Sequence, residues 1–452
     1  MSFRAELPGF IDLFELHKLD PRAYPFLLQS VGGHPQAGRY DILFAFPQAS
    51  LVLRKGALSG AGSDNAAGDF FVALDQCFTE ERAPENRARE LPFAGGWFLL
   101  LGYEAAGQIE NRLRLPPSPY SLPDAIAVRC PAAAIYDHRE QRLHLLAESD
   151  PAQLERLRAD VARCRAAPAP AAGAALVAAV EEEAPECYIA GVERVIEYLR
   201  AGDVFQVNLS RAWRARLRAG AGYAEVYAQL RRHNPAPFAG LACWEDAAVV
   251  SSSPERLIEI QDGWAQTRPI AGTRPRGADA GDDARLRSTL IASLKERAEH
   301  VMLIDLERND LGRVCVPGSI EVSELMTVES YAHVHHIVSN VRGKLRPGVG
   351  PGAALRAVFP GGTITGCPKV RAMEIVGELE GVGRGPYTGA MGYLSRCGRL
   401  DTNILIRSLV CEGGQVSLRA GAGIVADSQP QAELAETRAK ARGLLLALGA
   451  EV

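Results

Sequence analysis

Hydrophobic and polar positions change along the chain between two spacings, one typical of strands and one typical of helices. Short apolar or alternating runs bounded by turn residues predict a series of strands in the first third of the chain. These runs lie at 40–46, 51–54, 97–101, 125–129, 133–136 and 143–146. The polar residues between the last two runs indicate that those strands form a hairpin.

A helix and a strand with a polar face are predicted in the middle of the chain. Apolar residues recur at helical spacing over 189–199, and Gly202 stands where such a helix would end. The next run, 204–210, alternates as a half-buried strand does. The polar residues on one face of that strand are Gln206, Asn208 and Ser210. This polar row either faces solvent or lines a pocket.

The rest of the chain mixes strands and helices without strict alternation. Strands are predicted near 247–256, 267–277, 331–341, 387–393, 405–410 and 418–425, and helices at 295–310 and 431–448. The residues expected to make apolar contacts from the first of these helices are Val301, Met302, Ile304 and Leu306. This mixture favours an α+β fold over a doubly wound parallel sheet.

The length and one biased segment predict two domains. At 452 residues the chain exceeds the size of an ordinary small domain. Residues 166–185 are rich in alanine and proline and poor in large apolar side chains, which is typical of a linker. We therefore expect an N-terminal domain over 1–165 and a C-terminal domain over 186–452.

Composition limits the partners and the compartment. The formal net charge of -4 is close to balanced, which argues against binding to nucleic acid. No apolar run has the length of a membrane helix, and the first residues lack the pattern of a signal peptide. The nine cysteines are scattered without a Cys-x-x-Cys pair, which argues against disulfides and a cysteine zinc site. A cytoplasmic protein with no membrane contact is expected.

The stretch 359–375 has the pattern of a loop that leads into a helix N-terminus. Proline is tolerated at a first helical position, and Pro368 precedes an apolar-periodic run. Free N–H groups at such a helix start favour a carboxylate or a phosphate. The side chains that could add donors are Thr363, Thr365, Lys369 and Arg371. An ordinary connection with its helix cap explains the same residues equally well.

Acidic residues on two predicted helices form a candidate metal site. Glu433, Glu436 and Lys440 fall on one side of the C-terminal helix, and Glu299 lies on the helix predicted at 295–310. Oxygen ligands without cysteine suit Mg²⁺ rather than zinc. The alternative is that these residues only form solvated helix faces.

Three histidines lie close together in the strand predicted at 331–341. His333 and His335 would share one face of the strand, and His336 would take the other. A His-x-His pair can bind a metal, but the sequence indicates no third ligand. One working acid or base with structural neighbours is the simpler interpretation.

Several ordered motifs resemble those of the chorismate-utilising enzymes, above all the large subunits of aminodeoxychorismate synthase and anthranilate synthase. The motifs are GDVFQVNL at 202–209, SSSPER at 251–256, RPIAGT at 268–273, RAEHVM at 297–302, RNDLG at 308–312, HHIVS at 335–339, GGTITGCPK at 361–369 and GAGIVADS at 421–428. The resemblance implies an anthranilate-synthase-like fold of class α+β, with large sheets packed in a sandwich and helices outside. The C-terminal domain would hold the chorismate site.

The resemblance implies a binding role for a defined set of residues. Glu299 and Glu436, with Glu433 as a further candidate, would hold Mg²⁺ beside the ring carboxylate of chorismate. Arginine binds carboxylates through a two-pronged donor, which suits Arg407 for the enolpyruvyl carboxylate. The other residues implied in substrate binding are Gly272, Thr273, Thr363, Thr365, Lys369, Tyr387, Gly421, Ala422 and Gly423.

The resemblance also implies the chemistry. Glu255 would be the general acid that helps the ring hydroxyl to leave, with His336 as its companion. Isochorismate-forming relatives carry a lysine at the position of Gln206 to activate water. Gln206 therefore points to ammonia as the nucleophile and disfavours an isochorismate-forming enzyme.

Two features of the sequence favour different enzymes within the family that the chain resembles. Ala271 occupies the place where typical aminodeoxychorismate synthases carry a nucleophilic lysine, and alanine there is typical of anthranilate synthases. Thr363 and Thr365 give the Thr-x-Thr spelling of the aminodeoxychorismate branch. We interpret the chain as a lysine-less aminodeoxychorismate synthase component I of para-aminobenzoate synthesis, with anthranilate synthase component I as the alternative.

Two further expectations come from the resemblance. The family's tryptophan-binding element is similar to the segments that contain Ser30, Pro237, Phe238 and Ala239, so bound tryptophan is a possible partner. The sequence offers no glutaminase triad, so a separate glutamine amidotransferase subunit is expected to deliver ammonia.

Overall fold

A computed structural model of the chain describes residues 3–31, 38–83, 91–165, 175–277, 279–330 and 334–450, with the backbone alone at 65, 273 and 275. The helices in the described ranges are α1 (Leu13–Leu19), α2 (Phe70–Glu81), α3 (Pro151–Arg165), α4 (Pro185–Ala201), α5 (Tyr223–His233), α6 (Ala280–Ala292), α7 (Leu294–Gly312), α8 (Pro351–Val358), α9 (Lys369–Glu380) and α10 (Pro430–Ala447). None of these helices combines the length and apolar content that a membrane span requires.

Strands account for most of the remaining regular structure. Before the segment predicted as a linker, the strands are β1 (Phe3–Pro8), β2 (Phe26–Gln29), β3 (Tyr40–Ala45), β4 (Ser50–Arg54), β5 (Ala57–Gly60), β6 (Gly96–Leu101), β7 (Ala125–Cys130), β8 (Ala132–Asp137) and β9 (Arg142–Ala147). From that segment to the middle of the chain, they are β10 (Val177–Glu182), β11 (Gln206–Leu217), β12 (Phe238–Trp244), β13 (Ala247–Ser253), β14 (Arg256–Gln261), β15 (Trp264–Thr267) and β16 (Ile270–Pro275). The last strands are β17 (Glu321–Ser330), β18 (Val334–Lys344), β19 (Gly366–Cys367), β20 (Ala390–Ser395), β21 (Leu400–Ile404), β22 (Ser408–Glu412) and β23 (Gln415–Ile424).

The strands form two large antiparallel sheets. The 12-stranded sheet has the order β1-β9-β8-β3-β2-β12-β13-β22-β23-β11-β10, with β19 paired to β11. The 11-stranded sheet has the order β16-β18-β15-β14-β21-β20-β6-β7-β4-β5, with β17 paired to β18. The α+β class is therefore confirmed.

The two sheets pack face to face through an aromatic and aliphatic core. The rings of Phe26, in the first sheet, and Phe98, in the second, stack with centroids 4.0 Å apart. Helices α1, α3, α5 and α10 cover the outer face of the first sheet, and α2, α7 and α8 cover that of the second. The sandwich with outer helices that the resemblance implies is confirmed.

The sheets cross the boundary between the two predicted domains. In the first sheet β2 pairs with β12, and in the second β6 pairs with β20. Strand β10 lies inside the segment predicted as a linker and pairs with β11, because backbone hydrogen bonds of a strand do not require large side chains. Residues 166–174 of that segment lie outside the described residues.

Local differences from the predicted elements have simple causes. Val301 was expected to make apolar contacts but is 55% exposed, because the buried face of α7 follows His300, Leu303, Ile304 and Leu311. The strand predicted from 405 begins only at Ser408, since Arg407 has a left-handed backbone with φ 53°. Helix α4 ends as predicted, with Gly202 at φ 83°.

Candidate active site

The polar row of β11 is buried rather than exposed to solvent. A Cβ on Gly423 would stand 2.2 Å from the amide nitrogen of Gln206, so only glycine leaves room for that side chain. A Cβ on Gly421 would likewise stand 2.8 Å from Asn208 Oδ1. Among the described residues, nothing donates a hydrogen bond to Gln206 Oε1 or Asn208 Oδ1, although both atoms are buried. Such atoms are rare in folded proteins and indicate a place where a polar ligand completes the hydrogen bonding.

The loop before α9 packs directly against β11. Its residues Gly366–Cys367 pair with β11 as strand β19, and the Asn208 amide donates to the Thr365 carbonyl at 2.9 Å. The Thr365 hydroxyl donates to the carbonyl of Gly361 at 2.9 Å, so it closes the loop on itself. The Thr363 hydroxyl is buried, and it interacts with the Glu255 carboxyl. Of the two threonines, Thr363 is thus the one placed to contact a ligand beside Glu255.

The cations at the start of α9 are paired with carboxylates. Lys369 forms an ion pair with Asp310 of α7, and Arg371 donates to Asp203 at 3.0 Å. Lys369 therefore braces α9 against α7. Its predicted contact with a ligand stays a prediction.

Glu255 lies at the turn between β13 and β14, with its side chain buried. The Glu255 amide donates to the Ser253 hydroxyl at 3.2 Å, and that hydroxyl donates to the carbonyl of Ile404, which fixes the turn. Within the described part of the chain, Glu255 Oε1 has no hydrogen-bond partner. Burial raises the pKa of Glu255 to about 7, against the opposing effects of the Thr363 hydroxyl, the Ile270 backbone amide and Lys440. This carboxyl can therefore hold a proton near neutral pH and release it.

His336 lies on β18 opposite the motif that contains Ala271. Its Nδ1 lies 3.4 Å from the Gly272 carbonyl, and burial lowers the pKa of the ring to about 4. The imidazole is thus neutral at physiological pH. Gly272 has φ +62°, and a Cβ there would lie 2.9 Å from the Glu296 carboxylate, so a side chain is disfavoured on both counts.

The neighbours of His336 complete this region. His335 hydrogen-bonds Ser330 at 2.8 Å and Asp283 at 2.9 Å, which is a structural role. Ala271 pairs with Ile337 across β16 and β18, and its methyl group offers no nucleophile. The side chain of Thr273 and the whole of His333 lie outside the described residues.

Arg407 is a largely buried cation without an acidic partner in the described ranges. Its guanidinium donates to the Lys440 carbonyl and forms no ion pair there. Burial lowers its pKa, while Tyr387 and Glu436 act in the opposite direction. A buried guanidinium in this state is a natural receptor for a ligand carboxylate, which it can bind through two parallel hydrogen bonds.

Of the predicted metal-binding carboxylates, Glu299 of α7 lies close enough to Glu433 of α10 for their charges to interact, and Glu433 interacts in the same way with Glu436. Burial raises the pKa of Glu299 to about 7, and Glu296, Asp427 and Glu433 add to this rise. The pKa of Glu433 is also raised, chiefly by burial. Their ligand atoms do not all lie within 4.8 Å of one another. Crowded carboxylates that resist ionisation are stabilised by a cation, and an all-oxygen set fits Mg²⁺.

Lys440 and Glu307 also lie at the candidate site, although the sequence did not predict them as site residues. Lys440 Nζ donates to the Gly421 carbonyl at 3.0 Å and pairs with Glu436 at 2.7 Å. Glu307 is buried on α7 beside Gly362, and burial raises the pKa of its carboxyl. The sequence feature that could have identified Lys440 as a site residue is its position one helical turn after Glu436. For Glu307 it is a position two turns after His300 on the buried face.

A cavity lies where the tryptophan element was expected. It has a volume of about 350 Å³ and is lined by Ser30, Pro237, Phe238 and Ala239, together with the partly buried ion pair of Arg256 and Asp401. The Ser30 hydroxyl donates to the Pro237 carbonyl at 3.2 Å, which joins the two predicted segments. The structure brings these four residues together. Their ligand stays a prediction.

Comparison with known proteins shows one family, which includes relatives named for two different activities. The family model described as chorismate binding enzyme matches residues 26–446. Anthranilate synthase component 1 of Thermus thermophilus is 40% identical, covering 94% of this chain and 92% of its own. Aminodeoxychorismate synthase component 1 of Klebsiella aerogenes is 38% identical, covering 94% of each chain.

Solved structures agree with the sequence relatives. Anthranilate synthase component I from Streptococcus pneumoniae superposes with a TM-score of 0.79 at 31% identity, covering 91% of this chain and 93% of that chain. The isochorismate synthase MenF of Escherichia coli superposes with a TM-score of 0.74 at 19% identity, covering 99% and 95%. The second likeness bears on the fold alone.

Proposed function

The chain belongs to the family of chorismate-binding enzymes, and on that premise we propose that it aminates chorismate to 4-amino-4-deoxychorismate, as component I of an aminodeoxychorismate synthase. The proposal is supported above all by Arg407, a largely buried cation without an acidic partner among the described residues. It lies in the same region as Glu255, whose pKa burial raises to about 7. An anionic substrate with a poor leaving group needs these two features together.

The substrate would be held by its two carboxylates. Arg407 and Tyr387 bind the enolpyruvyl carboxylate, and the backbone at Gly421–Gly423 in β23 lines the same side. Glu299, Glu433 and Glu436 would hold Mg²⁺ on the ring side. When bound, the ion neutralises the ring carboxylate and orients it.

The reaction exchanges a ring hydroxyl for an amino group. Glu255 donates its proton to the C4 oxygen, the C–O bond breaks and water leaves, while a C–N bond forms with ammonia. The nitrogen then loses a proton, which restores the acid. In the stepwise form of this exchange, water or a first ammonia adds to the ring and loses a proton as the C4 hydroxyl leaves, and it departs again with a proton when ammonia bonds to C4. Neither form needs a covalent bond to the protein. His336 is neutral and assists this proton transfer.

Ala271 makes the absence of a protein adduct testable. A methyl side chain cannot attack the ring, so the covalent lysine route is closed. Intact-mass spectrometry of the protein after incubation with chorismate and Mg²⁺, without ammonia, is expected to show the unmodified mass. A stable ring adduct would contradict the mechanism.

Ammonia is proposed to come from a glutamine amidotransferase subunit. The relatives are named as component 1, which implies at least a second component in those enzymes. Purified chain alone is expected to use ammonium but not glutamine. Turnover with glutamine by the chain alone would contradict this part of the proposal.

Anthranilate synthase component I is the second candidate. Ala271 favours it, because the position lacks the lysine of the other branch. The two candidates differ in whether the product keeps its enolpyruvyl group. Product analysis with chorismate, Mg²⁺ and ammonium therefore tests the choice, and anthranilate with pyruvate would overturn our proposal.

A further inference from the structure

Two arginines share one glutamate behind the polar strand of the site. Arg384 donates to Glu380 at 2.7 Å, and Arg419 donates to the second oxygen of the same carboxylate at 2.8 Å. All three side chains are buried. In the described part of the chain, Glu380 is the one carboxylate that pairs with either side chain, so the cluster has one excess positive charge. The proposed mechanism does not use this charge.

Arg384 ties together the segments that carry the expected substrate contacts. Its guanidinium donates to the Asn208 carbonyl of β11 at 2.7 Å and to the Ile364 carbonyl, between the two loop threonines, at 3.3 Å. It also donates to the Thr388 hydroxyl at 3.3 Å. One side chain thus fixes the polar strand, the loop before α9 and the residue that follows Tyr387.

The same guanidinium lies between two tyrosine rings. Its carbon is 4.9 Å from the ring centroid of Tyr103 and 5.7 Å from that of Tyr387. Tyr387 is buried, and Arg384 lowers the pKa of its hydroxyl against the larger effect of burial, which raises that pKa. A cation near an aromatic face is attracted to the ring, and it draws electron density from the phenol, which strengthens the hydroxyl as a donor.

We propose that Arg384 is a positioning residue for the anionic substrate, which holds Tyr387 in place and strengthens its hydroxyl as a donor to the substrate carboxylate. The inference rests on the proposed function, because it takes Tyr387 as a substrate contact. It predicts that Arg384 acts on affinity through Tyr387. A purely structural arginine would act independently of that hydroxyl.

A double-mutant cycle separates the two roles. The dissociation constant for chorismate is measured by calorimetry with Mg²⁺ and without ammonia, for Arg384→Met, Tyr387→Phe and the double variant. Each single change is expected to weaken binding by about tenfold. The double variant is expected to lose little more than either single variant. A loss of about 100-fold in the double variant, or unchanged affinity in Arg384→Met, would overturn the inference.

Matched controls keep the test decisive. Arg129, on β7 of the second sheet, is a buried arginine that pairs with Glu148 and lies 5.2 Å from the ring of Trp97. Arg129→Met is expected to lower stability without changing the affinity for chorismate. Arg384→Lys keeps the charge and is expected to weaken binding less than Arg384→Met does. If circular dichroism shows that Arg384→Met does not fold, the lysine variant carries the cycle and must again be non-additive with Tyr387→Phe.

Failure of the inference differs from failure of the proposed function. A wild-type chain that does not bind chorismate would overturn both. A chain that binds chorismate with additive effects in the cycle would overturn the role of Arg384 alone. Formation of anthranilate would change the product and leave the cycle unaffected.

Discussion

At the scale of single residues, Glu255 decides the pH dependence. Burial disfavours the charged carboxylate, so its pKa rises from the ordinary value near 4.5 to about 7. A general acid must be protonated, so kcat/KM for chorismate is expected to fall as pH rises through about 7 when free ammonia is held constant. Glu255→Gln is expected to lower kcat by about 100-fold or more. Turnover of the glutamine variant at the wild-type rate would contradict the role of Glu255.

The sequence predicts which positions are polar, but not which of these side chains find hydrogen-bond partners in the folded protein. Alternation placed Gln206 and Asn208 on one face, and only the tertiary structure shows that this face is buried, with Asn208 beside the Thr363 carbonyl. Arg384 went unnoticed because its burial depends on Glu380 and Arg419, and the second of these is 35 residues away in sequence. Long-range contacts of this kind leave no local pattern.

At the scale of elements, helix α10 presents the expected metal ligands on one face. Glu436→Ala is expected to abolish Mg²⁺-dependent turnover without unfolding the protein, because the side chain is half exposed and supports no packing. Activity and circular dichroism are measured across a Mg²⁺ titration. Glu193→Ala on α4, an exposed residue, serves as the control and is expected to behave as wild type. Activity retained by Glu436→Ala would remove this residue from the metal site.

The short helical segment Tyr103–Gln108 gives a second prediction at this scale. Glu104 accepts hydrogen bonds from the amides of Arg384 and Gly385 at 2.7 and 3.1 Å, and burial raises its pKa from 4.5 to about 7. The folded state therefore holds this proton more tightly than the unfolded state does. Its contribution to the unfolding free energy is present below about pH 4.5 and is lost as pH rises to about 7, by at most ~3 kcal/mol.

Glu104→Gln keeps an acceptor oxygen but cannot ionise. The measurement is urea unfolding of both proteins between about pH 5 and about pH 8, which covers most of the range in which Glu104 titrates. The wild type is expected to lose more stability over this range than the variant. Equal losses would show that Glu104 does not titrate with a raised pKa.

The predicted and observed elements agree best where a residue in the local sequence ends the element. Helix α4 ends at Gly202 as expected, because glycine adopts the left-handed conformation without cost. Strand β22 begins later than expected, because Arg407 adopts the same conformation without being glycine. A non-glycine residue in that region has a tertiary cause, which a local pattern does not reveal.

At the scale of the whole molecule, both sheets join the segment before residue 166 to the segment after 185. Removing residues 1–185 would expose the edges of β12 and β20 and the core residues that pack against the removed part, among them Val249, Met391 and Leu405. The fragment 186–452 is therefore expected not to fold alone, and the full chain is expected to unfold in one transition. Near- and far-ultraviolet circular dichroism measure this. A soluble fragment with cooperative unfolding would contradict it.

We expect the chain to replace the C4 hydroxyl of chorismate and to leave the enolpyruvyl side chain in place. The most direct measurement is proton NMR of the reaction with purified chain, chorismate, Mg²⁺ and ammonium, before and after an aminodeoxychorismate lyase is added. The enolpyruvyl signals are expected to persist, and para-aminobenzoate and pyruvate are expected to form only after the lyase is added. Anthranilate and free pyruvate before that addition would contradict this expectation.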